Sequence, residues 1–270
     1  MATSTELTEI TGRIIKSKKY SHLSQQTIHR IVEWAAVRFN KLKEIEDNSR
    51  KKLHQVYGAY MQVYTPKVFS EFTGAGDLNN DDLKTVCKNI LLRHNSTKER
   101  MGFIDDFYAA IHSAIPSAQK IIDIGCGFNP FSYPWLATHL GQIEYAGFDI
   151  DVLLTEMMNN AWKQVGLPVS VQYNDVFFGL PGHTENDVLF FLKFFPCLEQ
   201  QEKGISAKIF NAVKSNAFVV SFPSVSLTGK NKGMRENYDG FLNQLTAGMN
   251  LHSEYFDFPT ERVYILKRAK

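Results

Sequence analysis

The sequence predicts an α/β fold: a mainly parallel seven-stranded sheet closed by a C-terminal antiparallel hairpin, behind a small all-α N-terminal region. Three observations carry this. From residue 101 onward, strand-like runs alternate with helical patterns, which is the rhythm of a parallel sheet covered on both faces. No strand-like alternation occurs before residue 120. Between the two patterns, Ile121-Ile-Asp-Ile-Gly-Cys-Gly-Phe-Asn-Pro130 joins a β-branched run to a glycine turn. The chain therefore divides at about residue 100, into a helical region 1–100 and an α/β region 101–270.

In the helical region, Ser24 is placed to cap a helix over Gln25–Lys43, with Ile28, Ile31, Val32, Ala35 and Phe39 on one stripe. A second helix is expected over Ile45–Tyr60. Gly74, Gly76, Asn79 and Asn80 mark a break, and a third helix follows through Leu83, Cys87, Ile90 and Leu91. Strands are expected at Lys120–Ile124, Glu144–Asp149, Val169–Tyr173, Val188–Leu192 and Ala217–Phe222. Helices are expected at Phe131–His139, Val152–Val165, Cys197–Asn211 and Glu236–Met249. His252–Leu266 reads as strand, turn and strand.

Bulk properties narrow the functional class. A hydrophobic content of 44% and a charge content of 21% are ordinary for a globular protein. No apolar run reaches the roughly 18 residues of a membrane helix, and the polar N-terminus lacks the apolar stretch of a secretory signal. Cys87, Cys126 and Cys197 are too scattered for a disulfide framework or a metal site, so the expectation is a cytoplasmic protein without metal. The net charge of +2 conceals segregation. Residues 1–67 carry +6, so the remainder carries −4, and a polyanionic partner would suit the basic part.

Candidate chemistry gathers at strand tips. Gly125 and Gly127 allow close backbone approach to a ligand beyond the first strand, with Asp123 inside that strand. The form D-x-G-x-G resembles the first motif of S-adenosylmethionine (SAM) methyltransferases. Asp149 ends the second strand and is placed to accept from ribose hydroxyls, whereas Asp151 is placed either for that or to cap the next helix. Asp175 follows the third strand, where an adenine amino group would sit, with Phe177 or Phe178 on the ring. Lys193 and Glu199 follow the fourth strand and either pair with each other or hold an acceptor base. Cys197 is read as a helix residue rather than a nucleophile, and no Asn-Pro-Pro-Tyr clamp for an exocyclic amine is present. The acceptor is then an atom with a free lone pair.

Several segments together resemble the 16S rRNA (guanine-1405-N7)-methyltransferases of the Arm/Rmt aminoglycoside-resistance type. They are His94-Asn-Ser-Thr-Lys-Glu-Arg100, Asp123-Ile-Gly-Cys-Gly-Phe-Asn-Pro-Phe131, Phe148-Asp-Ile-Asp151, Leu192-Lys-Phe-Phe-Pro-Cys-Leu-Glu-Gln-Gln201, Val220-Ser-Phe-Pro223 and Gly229-Lys-Asn-Lys-Gly-Met234. Arg50-Lys-Lys-Leu-His-Gln-Val-Tyr-Gly-Ala-Tyr60 adds a match in the helical region, so the likeness runs nearly end to end.

The resemblance implies a class I, Rossmann-like SAM-dependent methyltransferase acting on the assembled 30S subunit as a monomer, with S-adenosyl-L-homocysteine as product. It implies that Arg100 takes the SAM carboxylate through its guanidinium fork. Ile150, Val176 and Leu192 would complete the cofactor set, and Lys193, Glu199 and Lys230 would serve the target base. Lys230 stands where the family usually has arginine, so a point charge replaces a fork there. Phosphate contacts would come from Lys16, Lys18, Lys19, Arg50, Lys51 and Lys52, and a stacking ring for the guanine from Phe103, Phe107 or Tyr108. Two alternatives differ in outcome: methylation of another rRNA atom such as adenine-1408 N1, or an inactive RNA-binding protein that keeps the fold.

Overall fold

In a computed structural model of the chain, residues 2–58, 68, 69, 72, 80–224 and 234–269 are described. The strands are β1 (Lys120–Ile124), β2 (Glu144–Asp149), β3 (Val169–Tyr173), β4 (Val188–Leu192), β5 (Ala217–Pro223), β6 (Leu251–Asp257) and β7 (Glu261–Arg268). They form one sheet in the order β3-β2-β1-β4-β5-β7-β6. The first five are parallel, and β7 runs antiparallel to both β5 and β6. The expected hairpin is present, with its second strand inserted between β5 and the first.

The central strands are apolar on both faces because both faces are covered. All five residues of β4, Val188–Leu192, are buried. Phe190 and Leu192 enter the core on one side of the sheet, and Leu189 and Phe191 the core on the other. The sequence-read bounds of β1 to β4 coincide with the observed ones.

The helices are α1 (Ser4–Ile15), α2 (Gln25–Ala36), α3 (Leu42–Leu53), α4 (Asn80–Leu91), α5 (Asn95–Arg100), α6 (Ile104–Ala114), α7 (Tyr133–Leu140), α8 (Val152–Val165), α9 (Phe195–Gln201), α10 (Ile205–Asn211) and α11 (Met234–Leu245). The helix expected over Gln25–Lys43 stops at Ala36. Phe39 turns back against the helical core, and α3 restarts at Leu42. The next expected helix ends at Leu53 and continues as a π-helical turn over His54–Gly58. Tyr60 and the break at Gly74, Gly76 and Asn79 lie outside the described residues. The helix expected over Cys197–Asn211 is two helices, because Gly204 takes a left-handed φ of 79°.

α1 to α3 build their own apolar cluster, from Ile10 through Ile28, Ile31 and Val32 to Leu53. α4 does not belong to it: Leu83, Cys87, Ile90 and Leu91 pack into the core under the sheet. The helical unit with a separate core is thus shorter than the region read from the sequence. It leans on the sheet edge where β2, β3 and β4 end. His22 O accepts from Val152 N at 3.0 Å, and Ser24 Oγ lies 2.7 Å from the Tyr173 hydroxyl.

Candidate active site

The turn after β1 is shaped by two left-handed glycines, Gly125 (φ 69°) and Gly127 (φ 49°). A Cβ on Gly125 would lie 2.4 Å from Phe194 Cδ2, so the position is closed to side chains for steric as well as conformational reasons. Gly125 N and Cys126 N both donate to Phe148 O, at 2.8 and 3.0 Å, tying the turn to β2. Gly127 N donates to Asp149 Oδ2 at 3.0 Å, and Asp151 N donates to Asp149 Oδ1 at 3.2 Å. Burial pushes the Asp149 carboxyl up, and these backbone donors work against that. Asp151 is the helix cap: its Oδ1 accepts from Leu154 N at 2.9 Å, and its Oδ2 takes the Tyr57 hydroxyl.

Beyond the turn opens a cleft of about 1110 Å³, counting its mouth. Seven of the expected cofactor residues line it: Gly125, Gly127, Asp149, Ile150, Asp175, Val176 and Leu192. Lys193, Phe177 and Cys197 line it too, as do Arg30, Tyr57 and His94 from outside the sheet. Asp175 Oδ1 accepts from Phe177 N at 3.1 Å, and its Oδ2 accepts from Thr27 Oγ1 at 2.9 Å. His94 belongs to the H-x-S-T-x-E-R segment. Burial, helped by Lys193 and Arg100, pushes its pKa down to about 4, so the imidazole is neutral at physiological pH.

Arg100 and Asp123 are not among the described residues lining the cleft. Arg100 is fully buried and its fork is occupied. Nε and Nη2 donate to Glu261 at 3.1 and 2.6 Å, and Nη1 donates to Asn129 Oδ1 at 2.8 Å. Asp123 accepts from Asn129 Nδ2 at 2.8 Å and from the Tyr145 hydroxyl. Asn129 thus links the two side chains, accepting from Arg100 and donating to Asp123. Burial pushes the Asp123 carboxyl up to about 6.

Lys193 does not pair with Glu199. Its Nζ lies 2.6 Å from Glu99 Oε2 and 3.7 Å from Glu261 Oε2. It also holds a φ of 55°, rare for a side-chain-bearing residue, with its N–H donating to Ser221 O at 3.0 Å. Glu199 turns away from the cleft and caps α10, accepting from Gly204 N at 2.8 Å and Ser206 N at 3.0 Å. Burial opposes its charge, yet the Ser206 and Gly204 donors hold its carboxyl below the usual range.

Phe103, Phe107 and Tyr108 are buried in the core and cannot reach a base. Phe103 stacks on Phe258 at 4.9 Å. Lys52 is buried as well, donating to Gln200 O beneath Trp34. Lys16, Lys18, Lys19 and Lys51 are exposed, and Arg50 pairs with Glu46 at 2.8 Å. Lys230 lies outside the described residues.

Sequence reasoning missed three residues at or behind the cleft, Arg30, Tyr57 and Glu261. Glu261 opens β7, whose antiparallel course brings it to this end of the sheet, and Arg30 falls on the polar side of a helix whose apolar stripe is plain in the sequence.

A SAM molecule fits this site. The glycine turn is open to backbone approach, two carboxylates stand at successive strand tips, and Arg30 Nε, His94 Nδ1 and Asn174 Oδ1, on residues of the wall, are buried with no hydrogen-bond partner among the described residues. The strand order and this cleft, in a chain matched by a methyltransferase profile, are those of a class I SAM-dependent methyltransferase. The profile of the ribosomal RNA methyltransferases (FmrO) matches residues 16–265. The chain belongs to that family.

The 16S rRNA (guanine(1405)-N(7))-methyltransferase of Proteus mirabilis is 32% identical to this chain over 96% of each. The protein of that name from Frankia casuarinae is 28% identical, over 94% of this chain and 91% of its own. Among solved structures, the 16S rRNA methyltransferase RmtF in complex with S-adenosyl-L-homocysteine superposes with a TM-score of 0.83 at 22% identity, over 99% of this chain and 100% of that one. An rRNA methylase from Escherichia coli superposes with a TM-score of 0.76 at 25% identity, over 97% and 100%.

Proposed function

We infer that this chain transfers the methyl group of SAM to N7 of guanine 1405 of 16S rRNA in the assembled 30S subunit, and so confers aminoglycoside resistance. One observation carries the reading. The 32% identity to the Proteus mirabilis enzyme spans 96% of both chains, so it takes in the helical unit as well as the cleft.

Guanine N7 has an in-plane lone pair and no proton, so the chain needs no general base there. Its work is alignment, which is worth several orders of magnitude in rate. When bound, SAM supplies an electrophilic methyl carbon on a sulfonium. Asp149 and Asp175 would hold its ribose and adenine, and the Gly125–Gly127 turn would carry its methionine part. His94 stays neutral above about pH 4 and so adds no positive charge beside the sulfonium. Lys193, fixed by Glu99 and Glu261, would hold the flipped base, with Lys230, which follows β5 in the sequence, contributing. Glu199 would act only by fixing the α9–α10 turn.

The helical unit would dock on rRNA phosphates through its exposed Lys16, Lys18, Lys19 and Lys51. Its separate core ends near Leu53, which favours a docking unit of three helices within the region 1–100. Among the described residues no helix is long and apolar enough to cross a membrane. A monomer acting in the cytoplasm, where ribosomes are, suits this reading. The methylated N7 carries a positive charge, which would repel a cationic aminoglycoside and block its place.

Methylation of purified 30S subunits and of free 16S rRNA tests the reading. Borohydride and aniline treatment should cut the RNA at guanine 1405, and only after incubation with intact subunits. A primer-extension stop at 1408 in place of that cut would overturn it.

A further inference from the structure

Arg30 lies on α2 of the helical unit, yet its side chain stands in the wall of the donor cleft. Its guanidinium carbon is 3.5 Å from the centroid of the Phe177 ring. Nη2 donates to Gln201 Oε1 at 2.8 Å and lies 3.8 Å from Asp175 Oδ2. One turn earlier on α2, Thr27 Oγ1 donates to the same Asp175 oxygen at 2.9 Å. The carboxylate and the ring that suit an adenine are therefore both gripped from the helical unit. The guanidinium is mostly enclosed, with 19% of the side chain exposed.

We propose that Arg30 is a donor-binding residue lent to the cleft by the helical unit, its guanidinium stacked on Phe177 and, together with Thr27, fixing Asp175 for the adenine. The proposal rests on the methyltransferase reading for the identity of the donor. It has a consequence for the whole enzyme. The surface that carries Lys16, Lys18 and Lys19 and the wall that meets adenine belong to one three-helix unit, so a displacement of α2 on docking alters donor affinity. By linkage, the donor then alters affinity for the subunit by the same factor.

Calorimetry with the full chain tests this, using S-adenosyl-L-homocysteine and adenosine as probes. Arg30→Ala should weaken both by about tenfold. Arg30→Lys keeps a cation but lacks the planar fork, and should recover little of the loss. Thermal melting of each variant separates binding from folding. If Arg30→Ala melts early, the Arg30→Lys measurement decides.

In the wild type, saturating 30S subunits should shift homocysteine-adduct affinity, and in Arg30→Ala that shift should shrink. Unchanged affinity for both probes in both variants overturns the proposal while leaving the methyltransferase reading intact. A folded wild type that binds no S-adenosyl-L-homocysteine overturns both.

Discussion

Glu261 is fully buried and charged, and its carboxylate holds Arg100 through two hydrogen bonds while lying 3.7 Å from Lys193 Nζ. Burial alone would raise its pKa, but Arg100 and Lys193 reverse the shift and hold the carboxyl below the usual range. Its contribution to stability is therefore present above the unfolded carboxylate pKa and lost as pH falls through the lower folded one. Glu261→Gln leaves the buried Arg100 guanidinium without its carboxylate, and urea denaturation should show a loss of about 3–5 kcal/mol. A loss under 1 kcal/mol would show that the network is dispensable.

Asp123 has the opposite sign. Burial raises its carboxyl to about 6, so its ionised form costs stability at pH 7 and the cost fades as pH drops through 6. The melting temperature of the wild type should gain on that of Asp123→Asn between pH 7 and pH 5, and a constant gap would refute the shift. Asp149 and Asp175 were legible because carboxylates at successive strand tips form a pattern. Glu261 was not, since it meets Arg100 from 161 residues away and nothing local marks it.

The β1–α7 turn shows how far a single element can be read from its letters. Gly125 and Gly127 announced the turn, and the structure adds the reason for the first, which is the Phe194 ring pressed against it. Gly125→Ala meets that ring at 2.4 Å and must also hold a φ of 69°. It should cost about 2 kcal/mol or more in stability and abolish measurable SAM binding by calorimetry. An alanine variant that binds normally would show that the turn relaxes freely.

Helix ends were harder to read. The strands of the parallel part carry continuous apolar runs and were bounded well. The break between α9 and α10 was hidden, because Glu199 looks like a helix-interior residue until its carboxylate is seen on Gly204 N and Ser206 N. α1 was passed over although Thr3 and Glu6 form a capping box, a signal that was readable.

At the scale of the whole molecule, the exposed lysines proposed for docking lie outside the lining of the donor cleft. Reversing Lys16, Lys18 and Lys19 to Glu should weaken 30S association and flatten its salt dependence, as filter binding across a salt series would show. In the free protein the same triple variant should bind SAM as the wild type does, since none of the three lines the cleft. Lower SAM affinity with intact subunit binding would reverse the assignment. The basic bias of residues 1–67 was visible as charge, but its division into exposed lysines and the buried Lys52 was not, because burial depends on α9 packing against α3.

The insertion of β7 between β5 and β6 bears on how the protein is made. Translation delivers Ala217–Pro223 some forty residues ahead of its antiparallel neighbour, leaving a bare, greasy flank on the nascent sheet. Such a flank invites pairing between chains. The polypeptide thus carries its barest sheet edge while still tethered to a ribosome, whose RNA is what its family methylates.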